Sequence, residues 1–314
     1  MRRRLDAELV RRGLAPGRSA ARELVEARRV LVGGSIAEKP ARLVEAGDAV
    51  VVQGAPPRYV GRGALKLEAA IEGFGLDPSG LRVLDAGAST GGFTDCLLQH
   101  GAREVVALDV GHGQIHERLR SDGRVVVMER TNLRHIDPDA IGPFDAGVAD
   151  LSFISLSVVM GVLVAAVTGD EAQRSGWLVV LVKPQFECGR AEVARTRGVV
   201  RDPALWRLAL ERVSVAADAA GAAIIDVMVS PIRGAEGNTE FLMHLHAGPD
   251  VPPLEGAVAD RIEHVVSTSA AGVQEGTEAG SEAGAEAEAG AEAEPGAEAE
   301  AGAEADAYPG VEAP

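Results

Sequence analysis

The chain predicts an α/β architecture, a doubly wound, seven-stranded, mostly parallel sheet preceded by a small α+β unit. Between residues 62 and 248 short apolar runs alternate with amphipathic segments, the pattern of strand–helix–strand units that builds a parallel sheet covered on both faces. Within it, Val83-Leu-Asp-Ala-Gly-Ala-Ser-Thr-Gly-Gly-Phe93 reads as a buried strand entering a glycine-rich turn and then a helix. Glycine lacks a Cβ and tolerates positive φ, so such a turn lets backbone approach a bulky ligand. Residues 1–55 break the alternation, with two short helical patterns followed by short β segments.

The elements follow in order. Leu5, Leu9, Val10 and Leu14 recur on one helical face, and Gly13 stands near that helix's end. Ser19 is placed to cap a second helix over 20–27, with Glu23 near its first turn. β segments are expected at 29–32 and 49–52, with a Gly33-Gly34 turn between them. Residues 56–62 form a linker restrained by Pro56-Pro57. In the main domain, 63–249, strands are expected at 82–86, 104–109, 124–128, 144–149, 177–182, 223–229 and 240–246, and helices at 63–73, 91–100, 155–167 and 203–220. No helical pattern separates the last two strands, so they should pair antiparallel. An extension, 250–269, carries an amphipathic pattern through Val258, Ile262, Val265 and Val266. The Ala/Glu/Gly repeats of 270–314 lack apolar bulk, and a disordered acidic tail is expected there.

A net charge of −16 argues at first against a nucleic-acid partner, but its distribution reverses that. Residues 274–314 hold 12 acids and no base, whereas residues 1–66 hold 14 Lys/Arg against 7 Asp/Glu. Arg18, Arg22 and Arg29 lie at i, i+4 and i+11, which would place them on one face. A one-sided basic surface suits a phosphate backbone. A merely solvated surface is the plainer alternative, and the compact basic helix pair favours RNA. Cys96 and Cys188 form neither a disulfide scaffold nor a metal cluster. His112 and His116 have ligand spacing but no third partner, so no metal is expected. No apolar run follows the charged N-terminus, and 156–167 is too short to span a bilayer. A cytoplasmic protein with neither membrane nor DNA as partner is expected.

The turn also constrains the ligand. Three residues separate Gly87 from Gly91, which breaks the G-x-G-x-x-G dinucleotide fingerprint. The run 104–109 ends in Asp109, about 20 residues beyond the turn, the offset at which such folds hold a ribose hydroxyl. An acid at Asp85 suits a ligand bearing a cation, and S-adenosylmethionine fits that description. An ordinary strand-to-helix turn is the structural alternative.

Six motifs then occur in order: Arg62-Gly-Ala-Leu-Lys-Leu67, Asp85–Thr94, Glu129-Arg-Thr-Asn132, Ala149-Asp-Leu-Ser-Phe-Ile-Ser155, Val182-Lys-Pro-Gln-Phe-Glu187 and Gly237-Asn-Thr-Glu-Phe241. On these, residues 4–248 resemble an S4-type RNA-binding domain joined to an FtsJ-like, Rossmann-like class I methyltransferase. The pairing is similar to the TlyA family of ribosomal RNA cytidine 2′-O-methyltransferases, historically labelled haemolysins. The extension Met1–Glu8 resembles the subgroup that modifies both 16S and 23S RNA. The resemblance implies S-adenosylmethionine as cofactor and ribosomal RNA or its subunits as partner. It carries a catalytic tetrad onto Lys66, Asp150, Lys183 and Glu240. It carries cofactor contacts onto Asp85, Gly87, Ser89, Thr90, Gly91, Gly92, Phe93, Asp109, Asn132 and Asp150. Candidate RNA contacts are Arg4, Arg11, Arg12, Arg18, Arg22, Arg28, Arg29 and Arg62. Tyr59 stands where the family often has tryptophan, and the acidic tail lies outside its pattern.

The residues agree with this placement. Asp150 and Lys183 fall at the carboxyl ends of expected strands, where open α/β sheets bind ligands. Lys183 follows four apolar residues, and a buried lysine is rare unless paired. Lys183 either takes the proton of the attacking hydroxyl or stays charged and stabilises the developing alkoxide. A non-catalytic RNA-binding assembly factor and a membrane-lytic protein are the alternatives. A pseudouridine synthase with the same first domain lacks a matching aspartate motif here.

Overall fold

The computed structural model describes residues 2–15, 17–54, 57–169, 174–189, 193, 198–249 and 257–271, without the side chains of Ser19, Glu23 and Asp139. The expected disordered segment, apart from its first two residues, lies outside these residues, as does any cap from the Ser19 side chain.

The first unit contains β1 (Arg3–Arg4), α1 (Leu5–Arg11), α2 (Arg18–Glu26), β2 (Val30–Val32), β3 (Ser35–Ile36), β4 (Leu43–Val44) and β5 (Val50–Val52). β2 lies between β3 and β5, and β1 pairs with β4. Leu31 pairs with Ile36 and Val32 with Ser35, which leaves Gly33-Gly34 as a two-residue loop at φ +61° and +83°. Positive φ at both central positions is the twist-compatible hairpin turn, and glycine adopts it without strain. The periodic residues Leu5 and Leu9 are fully buried, packed with Ala21, Leu24, Val25 and Val30 in a core of the unit's own.

Two expectations are corrected here. α2 begins at Arg18, so Ser19 lies inside the helix rather than before it. α2 also ends at Glu26, so the helical spacing linking Arg18 and Arg22 does not reach Arg29. Arg29 instead donates from Nε to the Gln53 carbonyl, 2.9 Å away.

The main domain runs α3 (Ala64–Phe74), β6 (Arg82–Ala86), α4 (Gly92–Gln99), β7 (Glu104–Leu108), α5 (Glu117–Arg120), β8 (Val125–Met128), α6 (Pro138–Ile141), β9 (Ala146–Ala149), α7 (Leu156–Thr168), β10 (Gly176–Val182), α8 (Pro184–Glu187), α9 (Pro203–Ala219), β11 (Ala222–Val229) and β12 (Phe241–Ala247). The seven strands are ordered β11-β12-β10-β9-β6-β7-β8. β10, β9, β6, β7 and β8 are mutually parallel, while β12 is antiparallel to both β10 and β11. β9 and β10, flanked on both edges and covered on both faces, are apolar along almost their whole length, as parallel strands of this kind must be. Trp206 of α9 packs edge-on against Phe241 of β12, ring centroids 5.8 Å apart. Residues 258–271 form the last described helix, α10, with Ile262 and Val266 buried.

The chain proceeds from β6 outward through β7 to β8, then returns to lay β9 on the other side of β6. The carboxyl ends of β6 and β9 are therefore adjacent at the point where strand order reverses, the position at which such sheets form a ligand crevice.

Candidate active site

The turn after β6 and the loop after β9 meet in that crevice. Gly87 stands at φ +86°, and a Cβ there would lie 2.6 Å from the Asp150 carbonyl oxygen. Gly91 stands at φ +95°, where a Cβ would lie 2.2 Å from Leu119 Cδ1. Gly87 thus requires glycine for backbone approach as well as for conformation, and Gly91 requires it for conformation. Ser89, between them, holds φ +49°. Its N–H donates to Asp109 Oδ2 at 2.8 Å, and Gly111 N–H donates to Oδ1 at 2.6 Å. Asp109 is thus fixed at the end of β7, with lone pairs left for further donors.

A cavity of about 530 Å³ opens here, within the range of small-molecule sites. Gly87, Ala88, Ser89, Thr90, Gly92 and Phe93 line it together with Lys66, Asp150, Lys183 and Glu240. Asp85, Gly91, Asp109 and Asn132 are not in its lining. Asn132 caps the short turn Leu133–His135, its Oδ1 accepting from Arg134 N–H.

The four tetrad candidates form one row of alternating charge. Lys183 Nζ lies 2.6 Å from Asp150 Oδ1. Asp150 Oδ2 lies 3.8 Å from Lys66 Nζ. Lys66 Nζ donates to Glu240 Oε2 at 2.6 Å. Lys66, Lys183 and Glu240 are buried, and only Asp150 is partly exposed. Charges this far from water persist only when paired, and the row has two of each sign. Lys183 also donates to Ser152 Oγ at 2.9 Å, which leaves its third N–H for a ligand. Lys183 stands in the N-cap position of α8, and Pro184 opens that helix as well as ending β10. Glu240 is the residue before β12 rather than its first. Arg233 donates to the Gly237 carbonyl and the Thr239 hydroxyl rather than to Glu240.

Several residues at this site had no assigned role in the sequence. Phe153 is 92% exposed, holds φ +64° and packs on Phe186, centroids 5.2 Å apart, at the cavity wall. A bulky residue at positive φ is strained and persists where its surroundings impose it. Glu187 accepts from Ser155 Oγ at 2.5 Å and from Leu156 N–H at 2.8 Å, which ties the loop after β9 to the helix after Lys183. Phe153, Ser155, Phe186 and Glu187 lie inside two of the quoted motifs, which was their signal in the sequence. Tyr59 is buried and donates to Glu68 Oε1 at 2.9 Å, so the linker aromatic packs and bonds. His112 and His116 are not on one helix: His112 pairs with Glu129, and His116 caps α5. Among the described residues no cluster of metal-ligating groups occurs.

The arginines of the first unit are partly committed internally. Arg4, Arg18 and Arg22 surround Asp6, and Arg11 and Arg12 hold Glu8. Arg12 additionally donates to the carbonyls of Asp48, Glu45 and Ala46, so it braces the unit. Arg28 pairs with Glu38 at 3.4 Å, and Arg62 donates to the Arg233 carbonyl.

Asp85 is fully buried, its Oδ2 accepting from Thr94 Oγ1 at 2.6 Å while Oδ1 has no partner. Burial pushes its carboxyl up to about 7; the Thr94 hydroxyl opposes this and the Asp150 charge adds to it. An acid that holds its proton more tightly when folded contributes most stability below its unfolded value near 4. That contribution is lost as pH rises to about 7, by about 4 kcal/mol in all. Asp85→Asn, which cannot ionise, should therefore gain stability relative to wild type as pH rises from 4 to 8. Urea unfolding of the ligand-free protein across that range tests this, and a pH-independent difference would contradict it.

The FtsJ-like methyltransferase family matches residues 59–247, and the S4 domain family matches residues 3–50. The chain is 46% identical over 268 residues to the 16S/23S rRNA (cytidine-2′-O)-methyltransferase TlyA of Mycobacterium tuberculosis, covering 85% of this chain and 98% of that protein. It is 37% identical over 244 residues to Hemolysin A of Brachyspira hyodysenteriae, covering 77% and 98%. A solved candidate hemolysin from Streptococcus thermophilus aligns with a TM-score of 0.68 at 36% identity, over 88% of this chain and 98% of that one. No described helix is long and apolar enough to cross a membrane.

Proposed function

The chain belongs to the FtsJ-like methyltransferases, in the TlyA group of ribosomal RNA (cytidine-2′-O)-methyltransferases, and we propose that it methylates the 2′-oxygen of a cytidine ribose in 16S or 23S RNA, or both, from S-adenosylmethionine. The observation that carries this is the neutral row Lys183–Asp150–Lys66–Glu240, largely buried in the lining of a cavity that it shares with the glycine turn after β6. In this proposal residues 1–55 form the RNA-binding domain, 63–249 the transferase domain, and the substrate is ribosomal RNA.

The cavity and turn fit the cofactor. Gly87, Ser89, Thr90, Gly92 and Phe93, which line the cavity, would hold it by backbone approach, and Asp109, fixed just outside that lining, would reach a ribose; Asp85, buried and bonded to Thr94, would act from beneath by holding the turn in place. When bound, the cofactor supplies a methyl group on a sulfonium, whose departure leaves a neutral thioether. The chain's own task is to align a poor nucleophile and remove its proton. Alignment of two reactants can supply roughly 7–11 kcal/mol. Lys183, braced by Asp150 and Ser152, faces the sugar oxygen and either takes the hydroxyl proton as a neutral amine or stays charged and stabilises the developing alkoxide while the proton passes to solvent. Phe153, exposed in the cavity lining and packed on Phe186, offers a face on which an unstacked base can lie. Lys66 and Glu240 hold Asp150 in place.

The test is transfer of a labelled methyl to ribosomal RNA by purified protein, with ribose methylation mapped at nucleotide resolution. Label on a cytidine 2′-oxygen is expected. Label on a base, or none on any ribosomal substrate while the folded protein still binds the donor, would overturn the proposal.

A further inference from the structure

Asp6 is at odds with its setting. It is fully buried in the most basic part of the chain, at the surface of a unit proposed to bind RNA, where a carboxylate should repel the partner. It is hidden beneath guanidinium groups. Arg4 grips it with Nε at 3.2 Å and Nη2 at 3.0 Å, Arg18 donates from Nη2 at 3.1 Å, and Arg22 Nε lies 3.6 Å away. Ala7 N–H fixes the carboxylate from behind at 2.8 Å. The three arginine side chains nevertheless remain 43%, 57% and 55% exposed. Arg4 comes from β1, while Arg18 and Arg22 are one turn apart on α2, so a single carboxylate gathers cations from two elements. The Arg4 hydrogen bond, above all, holds Asp6 well below the usual carboxylate range, so it stays charged at any working pH.

We propose that Asp6 is a positioning residue for RNA, which clusters Arg4, Arg18 and Arg22 into a preformed site for a phosphodiester group of the ribosomal substrate. Three guanidinium groups left to themselves repel and wander, and each rotamer-rich side chain costs free energy to immobilise on binding. With Asp6 beneath them they are fixed in advance and still carry a net charge of two. Each guanidinium has five N–H donors, and the Asp6 contacts use one or two of each, so planar, bidentate recognition of phosphate remains open. Glu8 does the same for Arg3 and Arg11 beside it, at 4.0 and 2.5 Å. The inference rests on the RNA-binding role proposed above.

The test exploits opposite signs. Asp6→Asn adds one unit of positive charge to the unit, so simple attraction predicts tighter RNA binding. Positioning predicts weaker binding, at least about tenfold, and a shallower dependence of affinity on salt as phosphate contacts are lost. Full-length protein is titrated with ribosomal RNA over a range of salt, beside Asp6→Glu, which should recover part of the affinity. Donor binding, measured by calorimetry on the same samples, should be unchanged. Binding by Asp6→Asn equal to or tighter than wild type overturns the inference. Should Asp6→Asn not fold, Arg18→Gln/Arg22→Gln, both at exposed positions, takes its place. It must then lose affinity and salt slope together, and unchanged values overturn the inference. If wild type itself binds no ribosomal RNA, the functional proposal falls instead.

Discussion

Replacing Lys183 with alanine is expected to reduce methyl transfer by about 10²–10⁴-fold while leaving donor affinity within a few-fold of wild type. The separation follows from position. Lys183 projects from the end of β10 beside Phe186 and Ser152, whereas the glycine turn that shapes the donor side follows β6. Single-turnover transfer and calorimetric donor binding, measured on the same preparation, check both halves. A variant that binds donor and transfers at the normal rate would remove Lys183 from the mechanism. Lys183→Arg separates its two possible roles. Arginine keeps the charge but cannot give up a proton, so retention of substantial activity assigns charge stabilisation. Complete loss, with a wild-type rate that rises with pH, assigns proton transfer.

Replacing Lys66 with alanine is expected to cost about 3–5 kcal/mol of stability as well as activity. Glu240 is 3% exposed and would be left as a buried carboxylate, with Asp150 as its nearest charged neighbour in the row. The double change Lys66→Met/Glu240→Leu removes both charges and substitutes apolar groups of similar length. It should recover most of the lost stability yet remain inactive, because Asp150 Oδ2 no longer faces a cation. Urea unfolding and the transfer assay together read this out. A double variant as unstable as Lys66→Ala would mean that the pair contributes through shape rather than charge.

The strands of the main sheet were legible to within about two residues because each is an apolar run bounded by breakers or charges. α5, α6 and α8 were not, since each has four residues, scarcely more than one helical turn, and shows no periodicity. Ser19 resembled an N-cap, but α2 begins one residue earlier. The tetrad was legible only as motifs in order, since each member alone is an ordinary lysine or acid. Their mutual distances were not: Lys66 and Glu240, 174 positions apart, meet at 2.6 Å. In the first unit the arginines were legible as charge, but Asp6 and Glu8 counted only as offsets to it.

Residue order alone settled the architecture, the glycine turn, the strand-end placement of Asp150 and Lys183, and the basic character of the first unit. These depend on neighbours in the chain: apolar period, turn chemistry and local composition. Folding in three dimensions selected the partners. Strand order brought the ends of β6 and β9 together, the packing of α3 set Lys66 between Asp150 and Glu240, and the packing of α1 and β1 with α2 placed one carboxylate under three arginines. A charge's energy depends on what lies within a few ångströms of it and on how little water is left there, and chain packing sets both.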